Sequence, residues 1–340
     1  MQKNVSLQLK GVAILMMLFL HLFNHRELVE LCDTTFYFWN GKPLVSALSR
    51  VAAFCVPIYL FVSGYGLSHV YDRTAGRMHT GRRLWKLYVN YWVVLVLFVT
   101  LGAFIAPDRY PGDALTFVLN ASGWWHNYNY EWWFLFPYVV LVVAAPVIFG
   151  LLRRCDGRRC AWVVAGLTAL DVAVYCSDMA GGKFFDAHYV MQQLRQEVYC
   201  LYAFVLGAVF HQYRLVERFR FWLNMRVRPA RRVPLLSLCL LVMVLLRMSL
   251  GPSVINPFFV LLFIPIFNVL PMPRALGTFL EYMGGHSTNM WLSHSFFCYY
   301  LFQDFIYGLR YPPVIYAVLI VLSLAASYVI RFITNRLVAR

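Results

Sequence analysis

Charge is what this chain has least of. Asp, Glu, Lys and Arg together make up 13% of its 340 residues, and only 15 of them are acidic. Soluble domains carry about 25% charged residues. The shortage excludes an ordinary soluble enzyme, because 61% of the chain is hydrophobic and its apolar residues come in runs of roughly 18 to 25, the length a helix needs to cross a bilayer. The chain reads as an all-α, polytopic transmembrane helical bundle.

Further absences narrow the reading. No small-residue cleavage site follows the first apolar run, so that segment is expected to stay as a span and not be removed as a signal peptide. The eight cysteines are scattered, and the Cys155–Cys160 spacing is too little to make a zinc site, so no metal is expected. There is no heptad or low-complexity tract, and no two spans read as an inverted repeat. The net charge of +15 does not point to nucleic acid, because the basic residues fall in alternate loops, which is the positive-inside pattern.

About ten spans are expected, at 5–23, 44–70, 84–106, 131–152, 161–177, 195–212, 234–250, 254–271, 287–303 and 313–333. With both termini cytoplasmic, 20 Lys/Arg lie inside, including Arg340, and five lie outside: Arg26, Lys42, Arg109, Lys183 and Arg310. That asymmetry sets the orientation. A Gly-Pro break at 251–257 separates the seventh and eighth spans. The whole chain, 1–340, is expected to be one integral membrane domain, with no separate soluble part and no hydrolase-like domain after the tenth span.

Against this apolar background the polar residues inside spans stand out, since burying an ionisable group in a membrane is costly and points to function. Lys10 and His21 lie eleven residues apart in the first span. Eleven steps of 100° return to within about 20° of the start, so both project from one helix face, roughly 16 Å apart along the axis. His21 is the candidate general base: an imidazole titrates near neutrality, and burial favours its neutral, proton-accepting form. Its other reading is a buried histidine bonded to a neighbouring helix. Asp171 and Glu197 are the in-span acids available to orient it. Lys10 either snorkels to the inner headgroups or contacts a donor.

Arg82, Arg83 and Lys86 open the third span on the cytoplasmic side, where phosphate-bearing donors are made, and arginine suits bidentate phosphate recognition. Positive-inside topology requires cations there too. Ser63-Gly64 offers a hydroxyl and a close backbone approach, though small residues also pack helices in lipid, and no Gly-rich elbow marks Ser63 as a nucleophile. His294, within the ninth span, either orients a substrate or is a packing residue. Arg50, Arg195, Glu197 and Arg247 fall towards outer span ends, where they pair with one another or line a polar cleft. The outer loop 107–130, with Trp124, Trp125, His126 and Tyr128, reads as a sugar-stacking surface or an aromatic belt at the interface.

Several of these segments, in order along the chain, resemble the acyltransferase-3 family of bacterial membrane O-acyltransferases. They are Lys10-Gly11 with His21; Pro57 through Ser63-Gly64-Tyr65; Arg82-Arg83-Leu84-Trp85-Lys86; Glu131-Trp132-Trp133-Phe134-Leu135 with Pro146; Leu206-Gly207; and Gly284 through Ser287 to Trp291 and His294. Lys10 replaces the usual arginine, and Glu131 precedes the Trp pair where many members carry an acid after it. The resemblance implies transfer of an acyl group, expected to be acetyl, from acyl-CoA to a hydroxyl of a cell-surface or lipid-linked polysaccharide in the bacterial cytoplasmic (inner) membrane. Acetyl-CoA or another acyl-CoA would be a co-substrate, with no tightly bound cofactor; the partners would be a carbohydrate or glycolipid acceptor and the lipid bilayer. The rival readings are a transporter or flippase for a lipid-linked sugar, whose path buried charges also line, and a structural subunit of an export assembly.

Overall fold

In the computed structural model, residues 1–33, 37–38, 41–180, 185, 188–250 and 255–338 are described. Lys183, Arg340 and the Gly251–Val254 part of the break between the seventh and eighth segments lie outside them. The helices are α1 (Lys3–Phe23), α2 (Arg26–Val29), α3 (Leu44–Ala52), α4 (Cys55–Arg73), α5 (Thr80–Ile105), α6 (Ala114–Ser122), α7 (Leu135–Arg153), α8 (Gly157–Ala180), α9 (Tyr189–Gln212), α10 (Leu215–Arg226), α11 (Pro229–Ser249), α12 (Asn256–Val269), α13 (Arg274–Ser295), α14 (Gln303–Gly308) and α15 (Pro312–Val338). A 3₁₀ turn (Tyr130–Phe134) precedes α7 and a π turn (Phe296–Tyr300) follows α13. Strand structure among the described residues is one two-residue antiparallel pair, Tyr37–Phe38 with Lys42–Pro43.

Each of the ten segments read from the sequence falls on helix. Seven helical stretches among the described residues are long and apolar enough to cross a membrane: Lys3–Phe23, Leu44–Arg73, Thr80–Ile105, Tyr130–Arg153, Gly157–Ser177, Pro229–Ser249 and Pro312–Val338. The other three are too polar or too short to meet that standard, for visible reasons. Helix α9 carries Gln192, Gln193, Arg195, Gln196 and Glu197 in its first turns, α12 has only 14 residues, and α13 holds Glu281, His286, Ser287 and Asn289.

The chain divides into two compact units. One comprises residues 1–13, 53–78 and 137–281, and is organised by glycines. A Cβ at Gly64 on α4 would lie 1.9 Å from the Phe204 carbonyl oxygen on α9, and one at Gly207 on α9 would lie 2.1 Å from the Phe61 oxygen on α4. The two helices therefore meet backbone to backbone at reciprocal glycines, the contact that drives helix pairing in lipid. Gly11 does the same on α1, where a Cβ would fall 2.0 Å from the Leu280 oxygen. Tyr59 donates to the Lys10 carbonyl at 3.3 Å, and Arg247 donates to Asn256 Oδ1 at 2.9 Å.

The other unit comprises residues 14–52, 79–136 and 282–340. Here tyrosines tie elements to the end of α1: Tyr316 donates to the Leu15 carbonyl at 2.9 Å and Tyr307 to that of Leu22 at 3.0 Å. Phe98 of α5 stacks on Phe296 of the π turn with ring centroids 4.5 Å apart. Helix α6 starts at Asp113, whose carboxylate accepts from Thr116 N at 2.7 Å, and ends at Gly123 with φ +80, a left-handed position suited to glycine. That tight stop turns the chain into the 124–134 segment that builds the site.

Candidate active site

Asn129, in extended backbone, caps the 3₁₀ turn: its Oδ1 accepts from Glu131 N at 3.0 Å and from Ser295 Oγ at 2.9 Å. Two indoles then pin the turn to α13. Trp132 Nε1 donates to the Leu292 carbonyl at 2.9 Å, and Trp291 Nε1 donates back to the Glu131 carbonyl at 3.1 Å. Trp132 is fully buried against Tyr91. A short turn held by four hydrogen bonds has little freedom, so the Glu131 side chain is aimed by the backbone.

It is aimed at His21. Glu131 Oε2 lies 3.2 Å from His21 Nε2, and both side chains are largely buried, at 15% and 16% exposure. Tyr299 of the π turn donates to the His21 carbonyl and sets its ring edge-on to the imidazole at 6.0 Å. The ring of His294 is 5.0 Å from that of His21, centroid to centroid. His294 Nδ1 lies 2.7 Å from the Trp291 carbonyl oxygen, which can only accept, so the proton sits on Nδ1 and Nε2 bears a lone pair. That Nε2 is buried with no partner among the described residues, and so is Asn129 Nδ2.

With its Nε2–H given to the Glu131 carboxylate, His21 keeps Nδ1 as a basic nitrogen, and the carboxylate steadies the imidazolium that forms on protonation. An acid that stays ionised and orients an imidazole, which in turn can take the proton of a hydroxyl, is an arrangement suited to acyl transfer. The site thus holds two imidazoles with lone pairs and one amide donor lacking a partner.

The loop 107–130 packs beside it. Tyr110 donates to the Tyr128 carbonyl at 2.7 Å and Tyr91 to that of Asn120 at 2.6 Å. Arg109 lies over the Tyr300 ring at 4.2 Å from its centroid, and Tyr300 accepts from Tyr130 N at 3.0 Å. Burial lowers the His126 imidazole to about 4, so it is neutral at physiological pH. Tyr130 exposes 58% of its surface, in keeping with a stacking face.

Of the residues singled out in the sequence, the structure brings His294 to His21. The acid it sets on the imidazole is Glu131; Asp171 (α8) and Glu197 (α9) belong to the other unit, where Asp171 is buried and Glu197 Oε2 has no partner among the described residues. Lys10 shares α1 with His21. Arg82, Arg83 and Lys86 are exposed on the first two turns of α5 and make no ion pair among the described residues. Ser63 is half-buried beside Gly64, whose role is the helix contact. Asn129, Ser295 and Tyr299 went unread, and of these only Asn129 leaves a sequence trace, as a capping residue just before the acid. No cluster of His, Cys, Asp or Glu suited to a metal occurs among the described residues.

A family model described as an acyltransferase domain, of the acyltransferase-3 type, matches residues 7–332. No curated protein and no solved structure matches the chain.

Proposed function

The chain belongs to the acyltransferase-3 family of membrane acyltransferases, and on that footing we propose that it moves an acyl group, acetyl by preference, from acyl-CoA to a carbohydrate hydroxyl of a cell-surface or lipid-linked polysaccharide. The observation that carries the reading is the His21–Glu131 pair at 3.2 Å. In the proposed reaction His21 Nδ1 takes the proton of the acceptor hydroxyl as that oxygen bonds to the thioester carbonyl carbon. The tetrahedral intermediate then expels the thiolate, the C–S bond breaks, and the imidazolium returns the proton to sulfur. The products are an O-acyl ester and free CoA thiol. Glu131 holds the tautomer and offsets the imidazolium charge.

A carbohydrate acceptor is supported by the valences left open around the pair. A sugar presents neighbouring hydroxyls, each both donor and acceptor. His21 Nδ1 and His294 Nε2 are acceptors and Asn129 Nδ2 is a donor, a mix of valences that neighbouring sugar hydroxyls complement. Lys10, Arg82, Arg83 and Lys86 are proposed to receive the donor from the cytoplasmic side of the bacterial inner membrane, with both termini on that side. Asp171, Glu197 and Ser63 are assigned no step. The test is release of free thiol from acetyl-CoA by purified protein given a glycan acceptor: wild-type protein should release it with formation of an acetyl ester, and sugar translocation without thiol release would favour a transporter.

A further inference from the structure

The unit that lacks the His21–Glu131 pair contains a cavity of about 860 Å³, within the range of small-molecule sites. Its lining includes Lys3 of α1, His69 and Arg73 of α4, His211 and Gln212 of α9, and Arg214 in the turn to α10. Its acids are already spent. Asp72 takes a two-pronged contact from Arg153, with both N–O distances 2.9 Å, and Glu217 accepts from the Met1 amino group at 3.0 Å. Lys3, Arg73 and Arg214 make no ion pair among the described residues, so three positive charges face the cavity uncompensated.

Its polar groups are also held in place. Arg153 reaches Gln212 Oε1 at 2.6 Å and Ser68 Oγ at 2.8 Å. Ser68 Oγ lies 3.1 Å from His211 Nδ1, and His211 Nε2 lies 3.3 Å from His69 Nδ1, leaving the outer nitrogen of exposed His69 for a ligand. Arg214 sits at φ +50, a conformation that costs a side-chain-bearing residue energy and that concentrates at functional positions.

Several cations converging on a cavity of this volume suit a ligand with several phosphate charges on a nucleotide-sized body. Of the substrates in the proposed reaction, the donor joins several phosphate charges to a nucleotide body, in the pyrophosphate and 3′-phosphate of CoA. We propose that this cavity binds the phosphorylated nucleotide end of the acyl-CoA donor, with Lys3, Arg73 and Arg214 as its phosphate contacts. The assignment rests on the acyl-CoA reading above and adds to it a site that the sequence motifs did not mark.

The same charges would also hold an anionic lipid headgroup, so the experiment separates the two sources. Binding of CoA and of 3′-dephospho-CoA is measured on the full-length protein in nanodiscs of neutral lipid, and again with phosphatidylglycerol present. Three variants are compared: Arg73→Gln; Arg214→Asn, because asparagine tolerates positive φ; and Arg214→Lys, which keeps the charge and reports on folding. Each charge removal should weaken CoA binding about tenfold, one contact's worth, Arg214→Lys should stay near wild type, and dephospho-CoA should bind more weakly than CoA. Equal CoA affinity in wild type and both charge-removing variants overturns the cavity assignment, as does loss of phosphatidylglycerol retention with CoA binding unchanged. Wild-type protein that neither binds CoA nor transfers acetyl refutes the underlying reading instead.

Discussion

Glu131 Oε2 and His21 Nε2 meet at 3.2 Å, and the carboxylate reaches the imidazole from the 3₁₀ turn that opens the Tyr130–Arg153 stretch, not from the middle of a helix. Because that turn is pinned by Asn129, Trp132 and Trp291, exchanging the acid for its amide should change charge and leave the geometry. Glu131→Gln is expected to lower kcat about 10²- to 10⁴-fold, as loss of the orienting carboxylate does in acyl transfer, with KM for the donor changed less than threefold. Steady-state thiol release checks both numbers, and a rise in KM with kcat unchanged would remove Glu131 from the proton transfer.

Asn129 holds the turn and also offers its unpartnered amide donor. Asn129→Ala should cost about 1–2 kcal/mol in stability through the lost cap and the orphaned Ser295 hydroxyl, together with a fall in kcat. Asn129→Ser keeps a capping oxygen suited to this position and removes the amide donor without burying a charge. It should recover stability without recovering kcat, a split that thermal melting and turnover measured on one preparation will resolve.

The motif glycines make a prediction about assembly rather than chemistry. Alanine at Gly64 or Gly207 must displace a backbone carbonyl, at a cost of about 3 kcal/mol, and the protein should be lost from the membrane fraction. Gly66, two residues along the same helix, meets nothing within 4 Å of its missing Cβ, so Gly66→Ala should be neutral or slightly stabilising. Equal membrane levels for Gly64→Ala and Gly66→Ala would contradict the helix contact.

His126 gives a pH signature. Burial holds it to about 4, below the 6.5 of an unfolded histidine. The unfolded chain therefore binds more protons between those values, and its share of stability falls as pH drops from 6.5 towards 4, with no contribution above about 7. The melting temperature of wild type should decline more steeply between pH 7 and 5 than that of His126→Gln; parallel profiles would show that the imidazole is not buried.

Much of the scaffold was legible because its signals are local. Apolar runs and charge alternation mark helices and loops within windows of about twenty residues, and a helix face put Lys10 and His21 in one stripe. His294 was visible for the same reason, as a polar residue out of place. In the sequence Glu131 stands out only as an acid misplaced relative to its two tryptophans, because its pairing with His21, 110 positions away, depends on two indole hydrogen bonds that no local pattern encodes. Asp171 and Glu197 drew attention as acids within apolar segments, whereas the acid set on the imidazole sits at a span's edge. The glycines beside Lys10 and Ser63 and after Leu206 looked like companions of functional residues; in the fold they are the helix contacts themselves.

The central claim is that His21 removes the acceptor's proton, and one measurement reaches it most directly: acetyl transfer by His21→Ala in purified, membrane-inserted form. The account predicts that glycan-dependent thiol release falls to background while protein level and melting temperature stay near wild type. Thiol release and ester formation at wild-type rate by a folded His21→Ala protein would contradict it.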